Sequence, residues 1–286
     1  MSTPLAASLL VALAAANPTL SKAEATLSFA RFGEPVASHS LEELQIAVGA
    51  ELARVHEPYE DRPVEFAALP LPELFDAIYS PSWRRERDLH VLFTCADGYQ
   101  PTVPLSRFLD HASWLAFERL GAAEFAIDKL ESGRRQTVSL GPFYVVWDNA
   151  ENEELRSEGD YGWPYQVVAV DLVRTAERFP HMVPPPASSD RVRDGFAAFQ
   201  VHCSRCHAVN GDGGRIGPEL MTSPSSILLR GRPWLRRWIE DPSSELPAAR
   251  MPRFNPEAPN REATIEAIID YLYAMAEAAP GTSGAR

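Results

Sequence analysis

Apolar residues recur at helical spacing in some stretches of the chain and stand in short unbroken runs in others. After Asp190, the residues Val192, Phe196 and Phe199 keep the spacing of one helical face, which predicts a helix from Arg191 to Val201 capped by Asp190. From Arg261 to Glu277, behind Asn260, Ile265, Ile268, Ile269, Leu272 and Ala276 fall on one face of a second helix. Trp234 and Trp238 are four apart, the spacing of one helical face. Upstream, Leu41 to Val48, Leu71 to Tyr79 and Leu105 to Glu118 predict short helices. Leu89 to Thr94, Thr137 to Trp147 and Tyr165 to Val173 are apolar runs bounded by turn residues and predict strands. The pattern predicts two domains: an N-terminal α+β unit over 26–180 and an all-α unit over 190–280. Between them, 181–189 holds Pro184-Pro185-Pro186 and then Ala-Ser-Ser, which reads as a stiff linker.

The first 25 residues have a different character. Leu5 to Ala16 is a run of small or apolar residues, too short for a bilayer span, and Ala23-Glu24-Ala25 offers an A-x-A cleavage site. Residues 1–25 are therefore expected to be a signal peptide that directs the protein to the periplasm, although no Lys or Arg precedes the apolar run. No other segment has the uninterrupted apolar length of a membrane span, so none is expected in the mature chain. The net charge of the 286 residues is −12, which argues against a nucleic-acid partner. The acid excess lies before the Pro-rich segment, and the part after it is close to neutral. That asymmetry supports two units with different surfaces.

The three cysteines change the picture most. Cys203-Ser204-Arg205-Cys206-His207 is C-x-x-C-H, the attachment pattern of c-type haem. Thiols one helical turn apart can add to the two vinyl groups on one porphyrin edge, and the adjacent imidazole then reaches the iron. By composition alone this pentapeptide arises in about one such chain in a thousand. A redox C-x-x-C pair and half of a zinc site are the alternatives, but no second pair of cysteine ligands follows.

With the glycine and aromatic pair Gly195 and Phe199 before the motif and Tyr271 on the last helix, the segment resembles the class I (monohaem) cytochrome c family. The resemblance implies an all-α cytochrome c fold in which the first and last helices cross at Gly195, Phe199 and Tyr271. It implies one covalent haem c, tethered by Cys203 and Cys206 and ligated by His207. Gly217-Pro218-Glu219-Leu220 matches the stretch whose proline carbonyl accepts the other N–H of the proximal imidazole, so Pro218 takes that role. Arg250-Met251-Pro252-Arg253-Phe254 resembles the distal loop, making Met251 the sixth ligand, with Met221 as competitor and Met275 assigned to the core. An indole of Trp234 or Trp238, or Arg230 or Arg232, is a candidate for a haem propionate. The arginines from Arg230 to Arg237, with Arg250 and Arg253, could instead dock an acidic partner.

Cys95-Ala96-Asp97-Gly98-Tyr99 follows an apolar strand, and Val64 to Leu74, Val103-Pro104-Leu105 and Gly141-Pro142-Phe143-Tyr144-Val145-Val146-Trp147 accompany it. These stretches are similar to the sulfite-oxidase-type molybdopterin-binding oxidoreductase domain. The resemblance implies that Cys95 would be the thiolate on molybdenum. Arg107, His111, Lys129, Arg134 and Arg135, the residue types that hold such a cofactor's phosphate, are scattered here. The expectation is a fold kept for binding, without the molybdenum cofactor. Together these readings lead to an exported electron-transfer protein with His/Met-ligated haem and redox-protein donor and acceptor. A molybdenum oxidoreductase passing substrate electrons to its own haem is the alternative.

Overall fold

The computed structural model describes residues 25–131, 134–222, 226–256, 258 and 260–278. The expected signal peptide lies outside the described residues, save for Ala25. The chain opens with the hairpin β1 (Thr26–Arg31) and β2 (Glu34–Ser40) and runs directly into α1 (Leu41–Val48). Ser40 makes that junction sharp. Its hydroxyl accepts from the Glu43 N–H at 3.3 Å while the Glu43 carboxylate accepts from the Ser40 N–H at 2.8 Å. Next come β3 (Glu51–Glu57), β4 (Arg62–Pro70), α2 (Leu71–Tyr79), β5 (His90–Cys95), β6 (Thr102–Pro104), α3 (Arg107–Asp110) and β7 (Ser113–Arg119). The ribbon of β8 (Ala126–Glu131) and β9 (Arg134–Ser139) precedes β10 (Tyr144–Trp147), α4 (Glu153–Ser157), β11 (Val167–Val173) and α5 (Thr175–Arg178). The last part holds α6 (Asp190–His202), β12 (Ala208–Val209), β13 (Asp212–Gly213), α7 (Ser226–Arg230), α8 (Arg232–Glu240), α9 (Pro242–Glu245) and α10 (Arg261–Ala278).

A five-stranded sheet runs β2-β1-β11-β5-β6, and a four-stranded one runs β10-β7-β4-β3. Among the described residues, only the β1–β11 pairing is parallel. Period-two burial builds the core: β4 turns Val64, Phe66 and Ala68 inward and Glu65 outward. On α2, Leu71, Leu74, Phe75 and Tyr79 share the buried face, and the Phe75 ring meets Trp83 and Phe108 edge-on at 5.5 and 5.4 Å. One apolar cluster thus joins both larger sheets. No helix among the described residues is long and apolar enough to cross a membrane.

Local expectations and structure part company in two places. Only Arg107–Asp110 of the expected helix from Leu105 to Glu118 is helical, and Ser113–Arg119 is a strand between β4 and β10. Trp114-Leu115-Ala116-Phe117 is apolar throughout, and such a run carries no period that separates strand from helix. The run from Thr137 to Trp147 is two strands, interrupted between Ser139 and Tyr144, where Pro142 has no N–H for a ladder.

The larger correction concerns the C-terminal part. The expected pair of domains, an α+β unit and a separate all-α cytochrome c fold, is overturned. The chain is a single mixed α/β fold with several sheets and 10 helices among the described residues. The C-terminal helices do not close their core alone. Their apolar cluster, with Phe199, Ile268, Tyr271 and Leu272, also takes in Leu92 from β5 and Val173 from β11. A small β ladder, Ala208↔Gly213 and Val209↔Asp212, lies among these helices. The Pro-rich segment expected as a linker is bound down as well. Met182 is fully buried, its carbonyl accepts from the Tyr271 hydroxyl at 2.7 Å, and the His181 N–H donates to Asp212 at 2.7 Å.

Candidate cofactor-attachment site

The C-x-x-C-H motif begins where α6 ends. Cys203 caps the helix, with its N–H donating to the Phe199 carbonyl at 2.8 Å. The chain then coils once more, as the N–H groups of Cys206 and His207 both donate to the Cys203 carbonyl, at 3.0 and 2.9 Å. This single turn carries both thiols and the imidazole. Both cysteines are free and half-buried. Burial pushes the Cys203 thiol up to about 12, with the Arg205 charge working in the opposite direction. Burial raises the Cys206 thiol too, again against Arg205.

Gly214 and Gly217 let the loop after the motif close over it. A methyl group on Gly214 would lie 2.1 Å from the Arg205 carbonyl oxygen, and one on Gly217 would lie 2.4 Å from Cε1 of His207. The Gly217 N–H donates to the Cys206 carbonyl at 2.8 Å. The next residue, Pro218, offers its carbonyl to Nδ1 of His207 at 2.9 Å. A carbonyl only accepts, so Nδ1 carries the proton and Nε2 keeps its lone pair for a metal. Glu219 closes the loop by accepting from the N–H groups of Asn210 and Gly211, each at 2.9 Å.

Met251 is half-buried on an irregular segment whose anchor is Phe254. The Phe254 N–H donates to the Ile239 carbonyl at 3.2 Å, and its ring packs 4.7 Å from that of His202. The segment carrying Met251 therefore lies beside the residue that precedes Cys203. Met221 packs against the C-terminal apolar cluster, while Met275 and Met182 are inside it. Trp234 and Trp238 stack on each other at 5.0 Å, and the Arg230 guanidinium lies over Trp234 at 4.5 Å. Much of the arginine cluster is neutralised internally. Arg232 pairs with Asp270 and Glu266, Arg236 with Glu240, Glu262 and Glu266, and Arg237 with Glu245.

No protein-family model matches the chain, and no curated protein matches it. The residues alone carry the functional reading.

Cys95 ends β5 in the apolar core, 3% exposed. Burial, reinforced by Asp97, raises its thiol well above the ordinary range. The cations once counted toward a cofactor phosphate are engaged elsewhere. Lys129 donates to the Tyr165 hydroxyl at 3.2 Å, Arg107 pairs with Glu158 at 2.5 Å, and Arg135 lies 3.6 Å from Asp128. Of Arg134, only the place at the start of β9 is described, and His111 lines a surface hollow with Asp110, Asp148 and Glu151. These residues do not fit a molybdenum cofactor on Cys95.

The loop after Cys95 has a different role, which the sequence did not reveal. It docks on the C-x-x-C-H turn: the Gln100 N–H donates to the Arg205 carbonyl at 3.0 Å, and the Arg215 N–H to the Gly98 carbonyl at 3.3 Å. Arg205 reaches back and donates through Nη1 to the Tyr99 hydroxyl at 3.2 Å. Its one signal in the sequence was a charge at a free position of the motif.

Proposed function

We propose that the chain is an exported, periplasmic electron-transfer protein carrying one covalent haem c, with Cys203 and Cys206 as attachment points and His207 and Met251 as axial ligands. The observation that carries this reading is the bond from His207 Nδ1 to the Pro218 carbonyl at 2.9 Å, on the same turn as two free thiols. It holds the ring in one tautomer and makes Nε2 a stronger donor. A haem takes four iron ligands from the porphyrin, so a lone imidazole with its lone pair free fits it. Bound here, the haem would supply one-electron exchange with redox-protein donors and acceptors.

The chain's own residues do the rest. Cys203 and Cys206, at the end of α6, would tether the ring. Gly217 admits the imidazole against the backbone, and Pro218 orients it. Phe254 keeps the Met251 segment in place. With Met251 and His207 both holding the iron, the thioether would raise the potential relative to two nitrogen ligands.

The test is the haemochrome absorbance in alkaline pyridine of protein made in a host that attaches c-type haem. One haem per chain is expected, resistant to acid-acetone extraction, and Cys203→Ala/Cys206→Ala should lose it. A wild-type protein that emerges colourless from such a host sinks the proposal.

A further inference from the structure

Arg205 is the one cation of the motif, and its surroundings are more specific than a surface position would need. Its carbonyl is held by the Gln100 N–H and its guanidinium by the Tyr99 hydroxyl, so the loop after β5 fixes both ends of the residue. Gly214 lies against its carbonyl, where no side chain could fit. Asp160, whose carboxylate accepts from the Tyr59 hydroxyl at 3.1 Å, is near enough to act on both Arg205 and Cys206. A guanidinium does not lose its proton in proteins, so Arg205 is a cation next to Cys206 in the chain. Arg205, the chain neighbour of Cys206, is thus a cation held by Tyr99, and Asp160, held by Tyr59, is an anion that acts on the same cysteine, in a half-buried region where Coulomb interactions are weakly screened.

We propose that Arg205 and Asp160 are an opposed pair of charges that set the reduction potential of the group attached at Cys206, Arg205 raising it and Asp160 lowering it. The inference rests on the haem reading above. Reduction adds one negative charge to the group. A neighbouring cation stabilises the reduced form relative to the oxidised one, and an anion does the reverse. Neither residue touches the iron. Both act as positioning residues through charge, and the loop carrying Tyr99 is what holds Arg205 in place.

The experiment is a redox titration of the full-length, haem-loaded protein and three variants, after haemochrome absorbance has established the haem content of each. Arg205→Gln is expected to lower the reduced-to-oxidised ratio at a fixed applied potential about tenfold, which is about 59 mV for one electron. Asp160→Asn should move the ratio in the opposite direction, and Arg205→Lys should stay within about twofold of wild type. Loosening of this region alone would move Arg205→Gln and Asp160→Asn the same way, and that result, or no shift in either, overturns the proposal. Should Arg205→Gln fail to load haem, Asp160→Asn alone decides, since an unchanged or lowered potential refutes the pair. A wild-type protein without haem defeats the carrier reading at the absorbance step, and this inference with it.

Discussion

The imidazole of His207 lies where a methyl group on Gly217 would be 2.4 Å from its Cε1. An alanine there must displace the ring and break its bond to Pro218. Gly217→Ala is expected to cost the apoprotein about 1–3 kcal/mol, as overpacking does, and to lower the yield of haem-loaded protein. Urea unfolding and haemochrome absorbance measure the two effects. On the opposite side, Met251→Ala should abolish the weak near-infrared band that a thioether ligand confers on ferric haem. A band that survives in Met251→Ala and vanishes in Met221→Ala moves the ligand to Met221. The motif could be read in advance because its five adjacent positions carry their own chemistry, whereas the roles of Pro218 and Met251 came from the resemblance. The part played by Arg205 could not be read so, since its meaning comes from Tyr99 and Asp160, far away in sequence.

The pairing of α6 with α10 is the tightest helix contact in the C-terminal part. A Cβ on Gly195 would sit 1.9 Å from the Ala267 carbonyl oxygen, and Tyr271 packs against Phe199 at 5.1 Å and Phe196 at 5.4 Å. Gly195→Ala must push backbone from backbone and is expected to cost about 3 kcal/mol, read by urea denaturation. A crossing at Gly195, Phe199 and Tyr271 was what the resemblance to the class I cytochromes implied, and these three residues do meet. Among the sheets, Glu60 is the element-scale staple. It pairs with Arg119 at 2.8 Å and accepts from the Asp128 N–H at 2.9 Å, tying the β3–β4 turn to β7 and β8. Burial alone would raise its carboxyl, but those bonds override it and lower the pKa from 4.5 to about 2. A depressed folded value means that the stabilisation is present above pH 4.5 and is lost as pH falls toward about 2. Glu60→Gln should flatten the wild-type loss of stability across that window, measured by urea midpoints at successive pH values. It should also cost about 2 kcal/mol at neutral pH, because Arg119 loses its charged partner.

At the scale of the molecule, the C-terminal helices share apolar contacts with the sheet. Leu92 and Val173 belong to the same cluster as Phe199 and Tyr271. Val173→Ala, although it lies on a strand, is therefore expected to destabilise the helical part by about 2 kcal/mol, counting lost contacts and the cavity. Unfolding followed by haem absorbance and by far-ultraviolet circular dichroism should give coincident transitions. Two separated transitions would mean that the parts unfold independently.

What could be read from the chain alone was local: the C-x-x-C-H motif, the short helices Leu41–Val48 and Leu71–Tyr79, and the apolar faces of α6 and α10. Such features depend on groups within a turn or two of one another, so composition and period suffice to read them. It took the folded chain to show that Leu92 and Val173 of the sheet complete the C-terminal apolar cluster, that the Pro-rich segment is packed, and that Tyr99 holds Arg205. An amphipathic helix announces which face it must bury. The partner for that face comes from strands distant in the chain, chosen by the fit of the whole core.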